Sequence, residues 1–282
     1  MNDTLLTAWQ GARKRLTEAG IESPALDARM LLEMATGVSR VDILTDPYRA
    51  LTDSAREQLD ALIARREARE PVSQIVGYRD FRLHRFAVTR DVLTPRPETE
   101  LLVDVALEML PKELPRRVVE FGVGSGAILL SLLAERPLAE GVGVDVSAAA
   151  LAVARTNAQA LQLAGRADLR EGEWDAGLQE QFDLALSNPP YIKTGALQLL
   201  EPEVARHEPV LALDGGRDGL DGYRAVLPAI VRTLKPGGVF AVELGQGQAE
   251  AVWALADDCG LRPEAVREDL ASIPRVLSGR RP

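Results

Sequence analysis

The tetrapeptide Asn188-Pro189-Pro190-Tyr191 follows the apolar run Phe182 to Leu186, which places it where a buried parallel strand ends at the open edge of its sheet. These residue types suit the holding of a planar NH2 group. The lone pair of an amide or ring-attached amino nitrogen is delocalised, so the group attacks a methyl carbon only if both N–H bonds are held and the lone pair faces the electrophile. Two acceptors are needed, and the side-chain oxygen of Asn188 and the backbone carbonyl of Pro189 can supply them. Pro190 biases Pro189 toward extended backbone and fixes where that carbonyl points, while Tyr191 offers a flat face to the planar group. A proline-rich turn after a strand is the plainer alternative, because Asn-Pro marks turns generally.

Upstream, Val118-Val119-Glu120-Phe121-Gly122-Val123-Gly124-Ser125-Gly126-Ala127-Ile128 reads as a β-branched strand, a glycine-rich turn and the start of an apolar helix. Such a turn lets a ligand lie directly on the backbone. Gly122, Gly124 and Ala127 also satisfy the dinucleotide fingerprint G-x-G-x-x-G/A. Asp145, at the end of a second strand over Gly141 to Val144, is placed to accept both hydroxyls of a ribose, which fits a dinucleotide or an adenosyl methyl donor alike. Glu120 separates the two: a carboxylate beside the loop repels a pyrophosphate but suits the ammonium end of S-adenosylmethionine. With the Asn188 clamp two strands later, the methyl donor is the preferred ligand. An oxidoreductase would need a residue set for hydride transfer, and none is visible.

The elements that must position these residues follow from the hydrophobic pattern. The chain has 282 residues, 46% of them hydrophobic, enough for two domains with real cores. Periodic apolar positions predict helices over Asp3 to Ala19, over Ala25 to Thr36 behind the Ser23-Pro24 pair, and after Thr52 through Leu59, Leu62 and Ile63. Pro71 ends this bundle, and Val72 to Val92, with alternating Phe81, Leu83, Phe86 and Val88, predicts a β-hairpin linker. From Pro97 the order becomes helix, strand, glycine turn, helix, strand, helix, strand, the sign of a doubly wound α/β sheet. Lys235-Pro236-Gly237-Gly238 reads as a turn feeding the strand Val239 to Glu243, and Leu261 to Leu277 as a final hairpin. The expected domains are 1–72 helical, 73–95 linker and 96–282 catalytic. The segment Lys193 to Arg217 is rich in turn signals and reads equally as a mobile cover over the site or as a plain surface loop.

Composition narrows the classes further. No apolar stretch approaches the roughly 20 residues of a membrane span. Met1 to Gln10 lacks the basic start and apolar core of a secretory signal, so a cytoplasmic location is expected. One cysteine, Cys259, and two histidines, His84 and His207, are too few for a structural zinc site or a disulfide framework. The net charge of −9 argues against direct nucleic-acid binding, which generally needs a basic face. A basic stretch, Arg65, Arg66, Arg69, Arg79, Arg82, Arg85, Arg90 and Arg96, reads as a solvated face or as a dock for an acidic protein partner.

The chain resembles the HemK-type protein-(glutamine-N5) methyltransferases over essentially its whole length. The likeness includes Val92-Leu93-Thr94-Pro95-Arg96-Pro97-Glu98-Thr99-Glu100, the glycine loop, Ser187 to Ile192, Ala212 to Gly216 with Asp218 to Asp221, and Pro274-Arg275-Val276. Pro95 to Glu100 is similar to the group that acts on class I peptide chain release factors. The sister group, which acts on a ribosomal protein, typically has Pro-Arg-Ser-Pro there. The resemblance implies a seven-stranded class I S-adenosylmethionine-dependent methyltransferase sheet of Rossmann-like build, with a small N-terminal helical bundle that docks the protein substrate. It implies a donor site at Glu120, Gly122, Val123, Gly124, Ser125, Gly126, Asp145 and Trp174, the last beside the adenine. Asn188, Pro189, Pro190 and Tyr191 would hold the target glutamine, Asn188 also reaching the donor, and the product would be S-adenosyl-L-homocysteine.

Four residues depart from the family's usual pattern: Val123 for threonine, Thr94 for an aliphatic, Gly222 for an aromatic and Ile273 for glycine, none of them expected to touch the clamp. A glutamine methyltransferase acting on a ribosomal protein is the alternative within the family, and two rivals outside it stay open. Adenine-N6 and cytosine-N4 methyltransferases use similar clamps on an exocyclic amino group, and a non-catalytic adapter would keep the fold but not an intact site.

Overall fold

The computed structural model describes residues 4–282. The chain packs as two compact units: one runs to Tyr78 and includes Glu201–His207, and the other comprises Arg79–Leu200 and Glu208–Pro282. The first holds α1 (Leu5–Glu18), α2 (Pro24–Thr36), α3 (Arg40–Thr45), α4 (Asp53–Glu67) and α5 (Val72–Val76). A two-stranded hairpin follows, β1 (Tyr78–Phe81) and β2 (His84–Ala87). Then come α6 (Glu100–Met109), β3 (Arg116–Phe121), α7 (Ala127–Glu135), β4 (Ala139–Asp145), α8 (Ala148–Ala160), β5 (Ala167–Glu171) and β6 (Phe182–Ser187). After β6 the chain passes through α9 (Pro202–His207), which belongs to the helical unit, and returns for α10 (Asp221–Thr233), β7 (Leu234–Glu243), α11 (Ala249–Asp258), β8 (Arg262–Glu268) and β9 (Pro274–Arg280).

The helical unit is built as its sequence pattern dictates. Thr4, Ser39 and Thr52 cap α1, α3 and α4 by accepting backbone N–H groups of the first turn. Ser23 precedes Pro24 at the start of α2 but makes no side-chain cap bond. Leu5, Leu16, Leu31, Leu32, Leu62 and Ile63 form a shared core. Asp3, expected to begin the first helix, lies outside the described residues. The Glu203 carboxylate of α9 pairs with Arg66 at 2.9 Å and Arg69 at 2.8 Å, and Arg66 also pairs with Asp27 at 2.8 Å.

Two expectations are corrected, and a third gains detail. Val72–Val76 is a helical turn, not the first arm of the hairpin, because Pro71 starts it and Gly77 in the left-handed region ends it. Leu83 is exposed at the hairpin tip while Phe81 and Phe86 are buried; the two-residue turn, with Arg82 at φ 51°, breaks the period-two alternation. The basic stretch is largely ion-paired within the chain, while Arg65, Arg85 and Arg90 stay exposed. Arg65 pairs with Glu70, Arg66 and Arg69 with Glu203, Arg82 with Glu135, Arg85 with Asp80 and Arg96 with Glu208.

The second unit is a seven-stranded sheet in the order β5-β4-β3-β6-β7-β9-β8. The first five strands run parallel, and β9 is antiparallel to both β7 and β8. β3, first of these in sequence, lies between β4 and β6, so the winding direction reverses at its flank and opens a crevice beyond the strand C-termini. Register brings the functional ends level: Phe121 stands opposite Val144 on one side and Ser187 on the other. The Ser187 hydroxyl donates to the Phe121 carbonyl at 2.9 Å and ties the end of β6 to the end of β3. The expected Lys235–Gly238 turn is absorbed into β7 at an irregularity in its pairing with β6.

Close helix-to-strand packing sets the height of the glycine loop. Leu129 of α7 is fully buried against β4, and a Cβ built on Gly141 would lie 2.6 Å from its Cδ1. Leu129→Ala should lower unfolding stability by about 2–5 kcal/mol, read as a shifted urea midpoint.

Candidate functional site

The loop after β3 takes its shape from glycines in conformations that L side chains avoid. Gly122, Gly124 and Gly126 have φ of 72°, 52° and 82°, and Gly126 sits at the N-cap of α7. The Gly122 and Val123 N–H groups both donate to the Val144 carbonyl, at 2.9 and 3.1 Å. The Asp145 carboxylate closes the loop from β4. Its Oδ2 accepts the Gly124 N–H at 2.8 Å and its Oδ1 the Ser147 N–H at 2.9 Å. Each oxygen keeps a lone pair for a ligand hydroxyl.

A cavity of about 320 Å³ opens here, lined by Glu120, Gly122, Val123, Gly124, Ser125, Asp145, Trp174, Asn188 and Pro190, and also by Thr99, Arg96, Pro209, Leu211 and Ala212. Of the residues expected from sequence, Gly126, Pro189 and Tyr191 are outside the lining: Gly126 caps a helix, Pro189 is buried, and the Tyr191 hydroxyl bonds Glu243 Oε1 at 3.2 Å. A second cavity, of about 510 Å³, lies along β4, β5 and α8 around Arg155, Arg166 and Asp168, and shares none of these residues.

Electrostatically the first cavity asks for a cation. Asp91, Glu120, Asp145 and Glu173 line it, whereas the one cationic lining side chain among the described residues, Arg96, pairs with the buried Glu208 at 2.6 Å. Glu120 is buried, and one oxygen accepts the Leu129 N–H at 2.8 Å. Burial pushes its carboxyl well above the usual carboxylate range; the Leu129 bond pulls it down and the Asp145 charge adds to the rise. A positive ligand group beside Glu120 would restore its charge.

The clamp is held from behind by backbone contact. Gln248 Nε2 donates to the carbonyls of Tyr191 at 3.0 Å and Gly219 at 3.1 Å. The segment Asp214–Gly222 wraps the same backbone: a Cβ on Gly215 would lie 2.8 Å from the Pro190 oxygen, and one on Gly219 2.5 Å from the Tyr191 oxygen. Gly222, expected to lie away from the clamp, touches it. A Cβ there would lie 2.6 Å from the Pro190 oxygen and 3.1 Å from Pro189 Cβ. The segment Lys193–Arg217 is therefore partly stitched down: Ile192 and Gly215 exchange bonds with Leu213 and Ile192 at 2.9 and 2.8 Å, and Pro209 to Ala212 line the cavity.

The clamp asparagine is oriented by Thr99, to whose hydroxyl its Nδ2 donates across a long 3.4 Å bond. Asn188 Oδ1 is left as an acceptor. Sequence reasoning missed Thr99, Glu243, Tyr223 and Gln248. Glu243 carried a signal, since an acidic residue closing the apolar strand Val239–Val242 is out of keeping with its neighbours.

Comparison with known proteins fits this geometry. Residues 7–77 match the PrmC N-terminal domain and residues 99–213 the Methyltransferase small domain. The release factor glutamine methyltransferase of Caulobacter vibrioides is 50% identical over 99% of this chain and 97% of its own. That of Rhodospirillum rubrum is 46% identical over 95% and 82%, and that of Cereibacter sphaeroides 46% over 98% of each. The chain belongs to the release factor glutamine methyltransferase family. Among solved structures, the hMettl16 catalytic domain superposes with a TM-score of 0.57 at 13% identity over 69% of this chain and 74% of that one. A methyltransferase from Pyrococcus furiosus gives 0.52 at 14% over 69% and 87%. Both share the class I methyltransferase fold. Among the described residues, no helix is long and apolar enough to cross a membrane.

In this methyltransferase, Gly215→Ala must displace the clamp backbone without entering the cavity, since a Cβ there would lie 2.7 Å from Tyr191 Cα and 2.8 Å from the Pro190 oxygen. Its kcat should fall about 10–100-fold, with donor affinity within about twofold of wild type by calorimetry, because small misplacements of reacting groups are costly.

Proposed function

We propose that the chain methylates the side-chain amide nitrogen, N5, of the glutamine in the Gly-Gly-Gln loop of class I peptide chain release factors, with S-adenosyl-L-methionine as donor. The observation that carries this reading is the placement of Asn188. It lines the same cavity as the glycine loop and Asp145, with its NH2 end toward Thr99 and its carbonyl oxygen free to accept an N–H. The names of the relatives in three bacteria support the substrate.

The residues fit the donor's chemistry. Glu120 supplies the counter-charge for an ammonium group, Asp145 has an acceptor position left on each oxygen, and Trp174 offers a ring beside them. When bound, S-adenosyl-L-methionine supplies an activated methyl group and departs as S-adenosyl-L-homocysteine. Asn188 Oδ1 and the Pro189 carbonyl hold the two N–H bonds of the glutamine and turn the nitrogen lone pair toward that methyl. The alkylated amide carries a proton of very low pKa that water takes, so no strong general base is required. The work of the site is alignment, for which well-oriented reactants gain about 7–11 kcal/mol. The helical unit is the docking element for the release factor, and the site of action is the cytoplasm.

Asn188→Ala should lower kcat about 10²–10³-fold, the loss seen when a preorganised polar partner is removed, while donor affinity stays within about threefold. The check is labelled methyl transfer to purified release factors, wild type and with the loop glutamine replaced, followed by peptide mass mapping. Near wild-type transfer by the variant, or label away from that glutamine, would contradict the proposal.

A further inference from the structure

Behind the clamp lies a buried acid that the reaction as described does not use. Glu243 ends β7, is 2% exposed, and is reached through its Oε1 by the Tyr191 hydroxyl at 3.2 Å. Its Oε2 is buried with no hydrogen-bond partner. Thr99, also buried, stands against this carboxyl, where its hydroxyl favours the ionised form, and the same Thr99 oxygen accepts Asn188 Nδ2. The backbone of Glu243 is pinned separately, its carbonyl accepting the Tyr223 hydroxyl at 3.0 Å. An asparagine amide has two nearly isosteric orientations, and only the partner of one end decides which end faces the ligand.

We propose that Glu243 is a positioning residue: as a carboxylate it draws the hydroxyl protons of Thr99 and Tyr191, leaves the Thr99 oxygen to accept the Asn188 NH2, and so keeps the Asn188 carbonyl oxygen turned to the substrate. The proposal rests on the glutamine-methylating reading given above. A proton on Glu243 turns one of its two acceptor oxygens into a donor, so the carboxyl no longer holds the hydroxyl protons of both Tyr191 and Thr99. The Thr99 hydroxyl is then free to donate to Asn188 Oδ1, which turns the amide over and presents an NH2 to the glutamine N–H it should accept. Two donors face each other, and the clamp is lost with no change in the donor pocket.

The charged and titratable neighbours set where this happens. Glu98, on the turn before α6, and Arg275, on β9, face Glu243 along with Tyr191 and Tyr223, and Arg275 is itself paired with Asp269 at 2.8 Å. Burial pushes the Glu243 carboxyl up to about 7, opposed by Thr99, Tyr191 and Arg275 and assisted by Glu98. The active form is the ionised one, so kcat should be full above this value and fall as pH drops through about 7, tenfold per unit at the acid end. The amide of glutamine does not titrate in this range.

The test measures kcat at saturating donor and release factor from pH 5.5 to 9, for wild type, Glu243→Gln, Thr99→Ala and Thr99→Ser. In parallel, the side-chain NH2 resonances of Asn188 are followed by NMR over the same pH range without substrate. Expected results are a 10–100-fold lower kcat in Glu243→Gln and Thr99→Ala with donor affinity unchanged, a flat pH profile in Glu243→Gln, and recovery to within threefold by Thr99→Ser. The Asn188 NH2 shift should titrate near 7 in wild type and not in Glu243→Gln. Thr99→Ala and the NMR titration decide the matter if Glu243→Gln folds poorly. A wild-type acid limb that persists in Glu243→Gln, Thr99→Ala at wild-type kcat, or Asn188 resonances indifferent to pH would overturn the proposal. If wild type fails to methylate release factors, the functional reading falls, while the NMR titration still judges the Glu243 network by itself.

Discussion

A carboxamide nitrogen is among the weakest nucleophiles in a protein, and it reacts only when its plane is fixed to within a fraction of an ångström. In the proposed reading, much of the second unit serves that constraint. Two prolines remove freedom from the backbone proposed to carry the acceptors, and Gly215 and Gly219 let neighbouring chain press against that backbone where a side chain would collide. Gln248 bonds the Tyr191 carbonyl, and Ser187 ties the strand beneath to β3, whose loop forms the proposed donor site. The glycine loop and the Asn188–Tyr191 segment are thus fixed to each other through the end of one sheet.

The second requirement is charge. A methyl on a sulfonium is most reactive where its positive charge is not over-stabilised, yet the donor must still be bound. The cavity gathers its carboxylates near the glycine loop, with Glu120 desolvated and Asp145 engaged by backbone N–H groups, while neutral polar groups line the Asn188 end. The arrangement fits the proposed cationic donor without placing a full charge where the proposed reacting nitrogen would lie. Glu243 is the exception, a carboxyl set one residue farther back, where it acts on the clamp through hydroxyls.

The parts of this site that are contiguous in sequence were legible in it. The glycine loop, Asp145 and Asn188 each announce themselves by residue type at the end of an apolar run, and the sheet follows from the alternation of strand and helix signals. What was hidden is contact between distant segments. Gly222 reads as an unremarkable helix residue until α10 is seen against Pro189 and Pro190, and Thr99 as an ordinary helix-start threonine until its hydroxyl meets Asn188. Arg66 and Arg69 look solvated because their partner, Glu203, lies more than 130 residues away in the chain. The short helix Val72–Val76 was lost to a pattern of alternating apolar residues that a single turn of helix also satisfies over so few positions.

The most direct measurement is a crystal structure of the chain with S-adenosyl-L-homocysteine and a release factor bearing its intact Gly-Gly-Gln loop. The glutamine nitrogen should lie within hydrogen-bond distance, about 3 Å, of Asn188 Oδ1 and the Pro189 carbonyl, with its open face toward the sulfur. Asn188 turned to solvent, or a glutamine nitrogen held by neither acceptor, would contradict the clamp.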